Sequence, residues 1–418
     1  MTASLELTIE TLDAQGYGLA ATEAGVPVRV WGATIGDRVE VEIVHRSPHR
    51  WVGRLIAVLA SSNRQPEPCP HRPSCGGCAQ WEATDECLAQ WRQSAFEEAL
   101  PWLQTRCLPS PGRGPWRTRS KWQVDRRGGA IQLTVPLPRS QHGLPIPECP
   151  ITPPATRLRL EALTRQLRAE PLASVHAVIL TEGAQAGDYA AFGIGLVSAS
   201  PPPAQRPPAG SSGDAVAWLQ QPVRSPQLFK GTSSHYSGPL AVGIPHDGGW
   251  LPTPPFAFVQ AHPAGREQLL HAALDAVKHL QPGLAVDLGS GTGFFARALA
   301  KRGWTVEAVE SSPHVAAAWS DPVERVQFVA ARAQDYRWPA SVDLAIVDPP
   351  RSGMDRAWSE PLVAAQPKLI ITIHCGRAAA QRDLAGLNET NYSIRSATWI
   401  DLFPGSHHGE LLSVWERT

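Results

Sequence analysis

The chain has no surplus of charge: its 418 residues carry 38 Lys and Arg against 38 Asp and Glu. A uniformly basic nucleic-acid binder is thereby excluded, and any basic surface has to be local. There is no run of eighteen apolar residues, and Met1-Thr-Ala-Ser-Leu-Glu-Leu lacks the basic-then-apolar layout of a signal peptide. Neither a membrane span nor export is indicated, and a cytoplasmic protein is the expectation. Cysteine is scarce and odd in number, at seven. In a reducing compartment disulfides are disfavoured, which leaves metal binding, catalysis or burial. What is present is 43% hydrophobic and 18% charged residues over a length that suits two or three domains with substantial cores.

The organising stretch is Ala285-Val-Asp-Leu-Gly-Ser-Gly-Thr-Gly-Phe-Phe295, an apolar strand that runs through three glycines into a helix. Such a turn exposes backbone to a nucleotide-like ligand. The spacing Gly289-x-Gly291-x-Gly293 lacks the G-x-G-x-x-G that seats a pyrophosphate. Glu310 closes the next apolar run, where a carboxylate can accept both ribose hydroxyls. A ribose without a pyrophosphate points to S-adenosylmethionine. The plain alternative is an ordinary tight turn with a surface Glu.

Before this stretch, Leu5–Glu10, Val26–Trp31, Arg38–Val44 and Val52–Leu59 read as short strands separated by polar or Gly-rich turns, the pattern of a small barrel. They resemble a TRAM domain, the OB-like barrel appended to RNA-modifying enzymes. His45-Arg-Ser-Pro-His-Arg-Trp51 is either an RNA contact or a solvated hairpin tip. Next, Cys69, Cys75 and Cys78 place three thiols within ten residues. Zinc and iron–sulfur clusters take four such ligands, so a fourth comes from Cys87, Cys107 or Cys149. Cys87 reads as a buried helical thiol beside Trp91, whereas Cys149 sits between prolines in an extended loop and is preferred. Residues 101–141 then carry eight cations (Arg106, Arg113, Arg117, Arg119, Lys121, Arg126, Arg127, Arg139) against Asp125 alone. With Trp116 and Trp122 interleaved, this reads as a surface for phosphates and stacked bases. The Pro-, Gly- and Ser-rich stretch Ser200–Gly213 reads as a mobile loop.

From about Pro255 helix and strand alternate, which calls for a doubly wound parallel sheet. Asp287, Glu310, Asp335 and Asp348 each fall at or just past a strand end, where such sheets form their ligand crevice, and are expected to converge. Cys375 follows a buried strand at the same edge, where a thiolate can be reached and activated. Glu410, in the loop Phe403–Glu410, is available as an acid or base.

Together these residues resemble the RNA uracil-5-methyltransferases, in the TRAM-bearing, iron–sulfur branch that methylates 23S ribosomal RNA. The likeness runs from about residue 3 to 416. It rests on the four cysteines, Phe258-Val-Gln260, Asp287-Leu with Gly291-x-Gly293-x-Phe295, Asp348-Pro-Pro-Arg-x-Gly353, Cys375 after its strand and His408-x-Glu410. It implies an α/β chain of three parts. These are an OB-like TRAM barrel (1–60), a mixed α+β central iron–sulfur and RNA-binding domain (61–254), and a Rossmann-like methyltransferase domain (255–418). It implies a [4Fe–4S] cluster on Cys69, Cys75, Cys78 and Cys149. Gln260, Glu310, Asp335 and Asp348 would surround S-adenosylmethionine beside Gly289 and Gly291, with Cys375 as nucleophile and Glu410 as base. The expected partner is RNA, the expected state a monomer. Two departures stand out: the family usually has an aromatic residue and a cysteine at Gly289-Ser290, and Asn-Pro at Gly376-Arg377.

Competing readings remain. An amino-group methyltransferase usually follows Asp-Pro-Pro with an aromatic residue, where this chain has Arg351. A cytosine-5 enzyme usually places another cysteine directly after a proline near Asp348, and none stands there. A non-catalytic RNA-binding assembly factor is suggested by Gly376-Arg377 alone.

Overall fold

The computed structural model describes residues 4–66, 69–72, 74–137, 143–204, 210–211, 213–223, 229, 231 and 233–418. The loop expected at Ser200–Gly213 thus lies partly outside the described residues, as does Arg139.

The first strands are β1 (Ser4–Thr8), β2 (Thr11–Leu12), β3 (Gly18–Ala21), β4 (Pro27–Trp31), β5 (Arg38–His45) and β6 (Trp51–Ala60). They form one sheet in the order β1-β5-β6-β4-β3-β2. It curls around Leu7, Ile9, Val28, Val30, Val39 and Val41, the inward half of each alternating strand. This is the barrel-like unit expected over the first sixty residues.

A helix and a strand follow, α1 (Asp85–Glu97) and β7 (Thr105–Leu108). The central sheet is built from β8 (Arg119–Asp125), β9 (Gln132–Pro136), β10 (Gly143–Pro145), β11 (Val175–Glu182), β12 (Phe192–Ser198), β13 (Ala215–Gln220) and β14 (Ser233–Ser237). Its order is β10-β9-β8-β11-β12-β13-β14. The helix α2 (Pro154–Gln166) packs on it through Leu160 and Leu163, and a hairpin, β15 (Val242–His246) with β16 (Gly249–Thr253), leads out of it.

The last part begins with α3 (Pro263–Val277) and proceeds through β17 (Leu284–Leu288), α4 (Phe294–Ala300), β18 (Thr305–Glu310), β19 (Val326–Ala330), β20 (Leu344–Val347), α5 (Arg356–Ala364), β21 (Leu369–His374), α6 (Arg377–Asn388), β22 (Tyr392–Ile400) and β23 (Glu410–Arg417). The sheet order is β19-β18-β17-β20-β21-β23-β22-β7. From β17 the chain winds outward through β18 and β19, then returns to the other side of β17 with β20, so the topological switch lies between β17 and β20. Ligands of open α/β sheets bind at that crevice, beyond the strand carboxyl ends. Strands β17 and β20 are buried on both faces and wholly apolar but for Asp287, as parallel central strands must be.

One boundary differs from the sequence reading. β7, expected inside a separate central domain, pairs in parallel with β22 and closes the edge of this last sheet. Just before it, α1 buries Phe96 among the side chains of that sheet, against Trp399 at 5.5 Å. The stretch from α1 to β7 is therefore shared: β7 joins the last sheet, while α1 packs Phe96 on that sheet and Leu88 and Trp91 against Leu12 and Ala83. No helix among the described residues is long and apolar enough to cross a membrane.

Candidate active site

The glycine turn after β17 meets the end of β20. Gly289 has a φ of 84°, and a Cβ there would stand 2.4 Å from the carbonyl oxygen of Asp348. A side chain at 289 would have to displace backbone, so the aromatic residue of the resembled family has no room here. The close approach lets Asp287, Glu310 and Asp348 feel one another. Asp287 is fully buried; its Oδ2 accepts from the Ala296 amide at 2.9 Å, and its Oδ1 has no partner. Burial pushes its carboxyl up to about 7 against that hydrogen bond, with the charge of Glu310 adding to the rise. Asp348 is held well above the usual carboxylate range, by burial first and then by Glu410, Asp287 and Glu310. Glu310 is aimed by three amides: Gly291 donates to its Oε2 at 3.1 Å, and Ser311 and Ser312 each donate to its Oε1 at 2.7 Å. Asp335 is different. It lies in a short turn past β19, exposed and paired with Arg332 at 2.6 Å, outside the group of mutually interacting acids.

On the other side of the switch, β21 delivers Cys375, half-buried and free. Its thiol is pushed up to about 11, first by burial, then by Glu410 and Asp348, with Arg351 opposing. Glu410 opens β23, 2% exposed, and Gln260 Nε2 donates to its Oε1 at 2.9 Å. Burial raises Glu410 to about 7, against the Gln260 hydrogen bond and the charge of Arg351. Gln260, expected at the cofactor, is thus attached to the carboxylate expected to act as base. Arg351 is the cation that acts on both groups. It stood in the Asp348-Pro-Pro-Arg motif without a role, and the signal that could have found it was the need of two buried acids and a thiol for a counter-charge.

The cysteine loop is the second cluster. Cys69, Cys75, Cys78 and Cys149 are all free, and all pack against the central core beside Trp81 and Ile146. The charges of Cys75 and Cys149 help hold Cys69 up, and those of Cys149, Cys75 and Cys69 act on Cys78, where burial is the largest cause of a rise to about 12. These four thiols are therefore within electrostatic reach of one another, with Arg117 opposing at Cys75 and Cys78. Among the described residues, no group of three or more His, Cys, Asp or Glu is arranged to hold a metal ion. Cys87 is buried on α1 beside Trp91, as expected, and Cys107 lies on β7, half-buried.

A methyltransferase domain family matches residues 286–348, which span the glycine turn through Asp348. A 23S rRNA (uracil(1939)-C(5))-methyltransferase RlmD of Bordetella pertussis is 27% identical over 453 residues, covering 98% of this chain and 92% of the relative. The chain is a homologue of RNA uracil-C5-methyltransferases. An uncharacterized RNA methyltransferase of Streptomyces avermitilis is 28% identical, covering 96% of this chain and 95% of the relative. The fold is shared with a Pyrococcus abyssi tRNA (uracil-54, C5)-methyltransferase solved with S-adenosyl-L-homocysteine, at a TM-score of 0.76 and 20% identity over 98% of this chain and 100% of that one.

From its cations and interleaved tryptophans, the segment 101–141 was expected to present a surface for phosphates and stacked bases, and the structure corrects this for the tryptophans. Trp116 is 6% exposed, stacked on His262 with centroids 5.3 Å apart and edge-on to Phe403 at 5.9 Å. Trp122 is 4% exposed and donates to Ser120 Oγ at 2.8 Å. Five of the eight cations bond within the fold: Arg106 donates to Thr398, Arg113 to Asp85, Trp81 and Ala83, Arg119 to Thr181 and the Pro255 carbonyl, Arg126 to the carbonyls of Leu172, Ala173 and Val175, and Arg127 to Asp125. A composition count cannot distinguish a solvated cation from one that caps buried carbonyls. At Gly376, a Cβ would stand 3.0 Å from the Arg351 carbonyl oxygen, so the Asn of the resembled family would press on the Asp348-Pro-Pro-Arg loop.

Proposed function

We propose that the protein methylates carbon 5 of a uridine in RNA, with 23S ribosomal RNA as substrate and S-adenosylmethionine as methyl donor. The observation that carries this is the pairing of Cys375 with the buried Gln260–Glu410 unit across the same switch point at which Asp287, Glu310 and Asp348 gather. Crowded buried acids call for a cation, and the sulfonium and ammonium of S-adenosylmethionine supply one, with Glu310 at the ribose and Gly289 and Gly291 along the ligand. Asp335, past the end of β19 and paired with Arg332, is the outermost of the four acids.

Carbon 5 of uracil is a weak nucleophile. The Cys375 thiolate adds to carbon 6, forming the C6–S bond and sending the ring electrons towards O4 as an enolate. Carbon 5 then takes the methyl group from the donor's sulfonium, which leaves as S-adenosylhomocysteine. Glu410 removes the proton from carbon 5, the C5–C6 double bond reforms and the C6–S bond breaks to return the thiolate. Arg351 stands where it favours both charged forms, the thiolate and the carboxylate. A base must leave its stack to reach Cys375, so the target is single-stranded or flipped out.

Cys69, Cys75, Cys78 and Cys149 would hold a [4Fe–4S] cluster, a body larger than a single ion and one that takes four thiolates. Their donor chemistry and common burial support this, and the group's contribution would be to tie the loop 69–78 to Cys149. The protein is read as a cytoplasmic monomer. No observation favours the amino-group, cytosine-5 or non-catalytic readings over this one.

RNA transcribed with 5-fluorouridine, incubated with S-adenosylmethionine and the protein, tests the reading on a denaturing gel. Fluorine at carbon 5 cannot be removed by a base, so the wild type should be trapped on its RNA and Cys375→Ser should not. No shifted band from the wild type, with S-adenosylmethionine binding demonstrated, would sink it.

A further inference from the structure

The loop 401–409 between β22 and β23 leads to Glu410, and its internal bonds are all local: Phe403 N donates to Asp401 Oδ1 at 3.2 Å, Ser406 donates to Phe403 O through its amide at 3.1 Å and its hydroxyl at 2.8 Å, and His408 N donates to Ser406 Oγ at 3.1 Å, none of them spanning more than three residues. It is held from the neighbouring part of the chain. Gln80 N donates to Gly405 O at 2.9 Å, and the side chain that grips it in three places is Arg92 of α1. Arg92 Nη1 donates to Asp401 Oδ2 at 2.8 Å, while Nη2 donates to Ser406 O at 2.7 Å and His408 O at 3.4 Å. Both members of the ion pair are 2% exposed. One planar guanidinium thus joins the start of the loop to its end, two residues before Glu410.

We propose that Arg92 is a positioning residue for Glu410: by fixing Asp401, Ser406 and His408 at once, it sets where the carboxylate meets the carbon 5 proton. A lysine cannot substitute, because a single ammonium lacks the fork that reaches three acceptors in different directions. The residue beside it on the same helix faces the other half of the site. Trp91 donates to Leu12 O at 3.1 Å, and its ring carries the guanidinium of Arg377 at 5.1 Å, two residues after Cys375. Consecutive residues of α1 therefore touch the loop of the base and the helix that follows the nucleophile, so this helix fixes the separation between them.

The inference rests on the proposed function and can be separated from it. In the step concerned, the C5–H electron pair becomes the C5–C6 double bond, the C6–S electrons return to Cys375, and the proton passes to Glu410 and on to water. A 5-fluorouridine RNA stops before this step, and a uridine RNA passes through it. Single-turnover reactions of the full-length protein with each RNA and saturating S-adenosylmethionine would compare the wild type with Arg92→Lys and with Asp401→Asn. The second variant weakens the ion pair while leaving an acceptor for the guanidinium.

The expected result is adduct formation on 5-fluorouridine RNA within about threefold of wild type, with release from uridine RNA slowed by at least about tenfold and a methylated covalent adduct accumulating. Equal losses on both RNAs, failure of both variants to fold, or wild-type release in both would overturn the inference while leaving the proposed function standing. A wild type that forms no adduct overturns both.

Discussion

Two regions of the molecule looked functional for opposite reasons, and only in one do the side chains singled out from the sequence come together. The residues of the crevice at the ends of β17, β18, β20 and β21 are scattered along the sequence, yet Asp287, Glu310, Asp348, Cys375 and Glu410 act on one another there. Residues 101–141 are rich in cations and tryptophan, yet Trp116 and Trp122 are buried and most of the arginines bind carbonyls, hydroxyls or carboxylates of the fold. Topology places the residues of the crevice: the parallel strands β17, β18, β20 and β21 point their carboxyl ends to one edge, and the antiparallel β23 starts there with Glu410. Nothing comparable places a residue chosen for its charge alone. The central segment instead braces the crevice: Trp116 stacks on His262 and meets Phe403 edge-on, and Thr118 holds the carbonyl of Ala261 through its amide at 2.9 Å and its hydroxyl at 2.8 Å, next to Gln260.

The sharpest way to break this comparison is in the crevice. Cys375→Ser should lower methylation by about 10^4-fold or more, because no other group supplies the addition to carbon 6. Glu410→Gln should lower turnover by about 10^2–10^4-fold yet leave a covalent RNA adduct on a denaturing gel, since the addition and the methyl transfer precede it. Loss of the adduct in Glu410→Gln would show that the carboxylate is needed before proton removal.

The central segment gives the next effect, and it is one of stability. Trp116→Ala should cost about 3–5 kcal/mol, the usual range for truncating a buried aromatic residue, seen as a lower midpoint of thermal unfolding. A base-stacking Trp116 would leave the melting temperature unchanged and weaken only RNA binding. On the cysteine side, Cys75→Ser should remove the iron from anaerobically purified protein and lower the melting temperature. Full iron content in that variant would break the assignment of its four ligands.

How much could be read from residue order follows the same division. The glycine turn, Asp348-Pro-Pro-Arg and Cys375 after its strand were legible because each couples a chemical residue type to a strand end, where topology does the rest. Cys149 was singled out through its proline-flanked loop, and its thiol lies within electrostatic reach of Cys69, Cys75 and Cys78. Arg92 and Arg351 were not legible. Each matters through partners remote in sequence: Arg92 meets Asp401, more than three hundred residues away. The exchange of β7 into the catalytic sheet was hidden for a like reason, since a four-residue strand carries no signal of its partner.

The smallest effect concerns Gln260 and tests whether it serves the cofactor or the base. Its amide hydrogen bond favours the charged form of Glu410, whose carboxyl already stands at about 7 because burial outweighs it. Gln260→Leu removes the donor and leaves the burial, so the carboxyl should rise further. A hydrogen bond to a charged group contributes about 1.5–3 kcal/mol, and about 1.4 kcal/mol corresponds to one pH unit, so a displacement of roughly one to two units is expected. Glu410 acts as a base only when ionised, and the acidic limb of the release step should therefore move to higher pH, with the plateau rate recovered in alkaline buffer. A limb that stays in place while the apparent affinity for S-adenosylmethionine falls would return Gln260 to the cofactor.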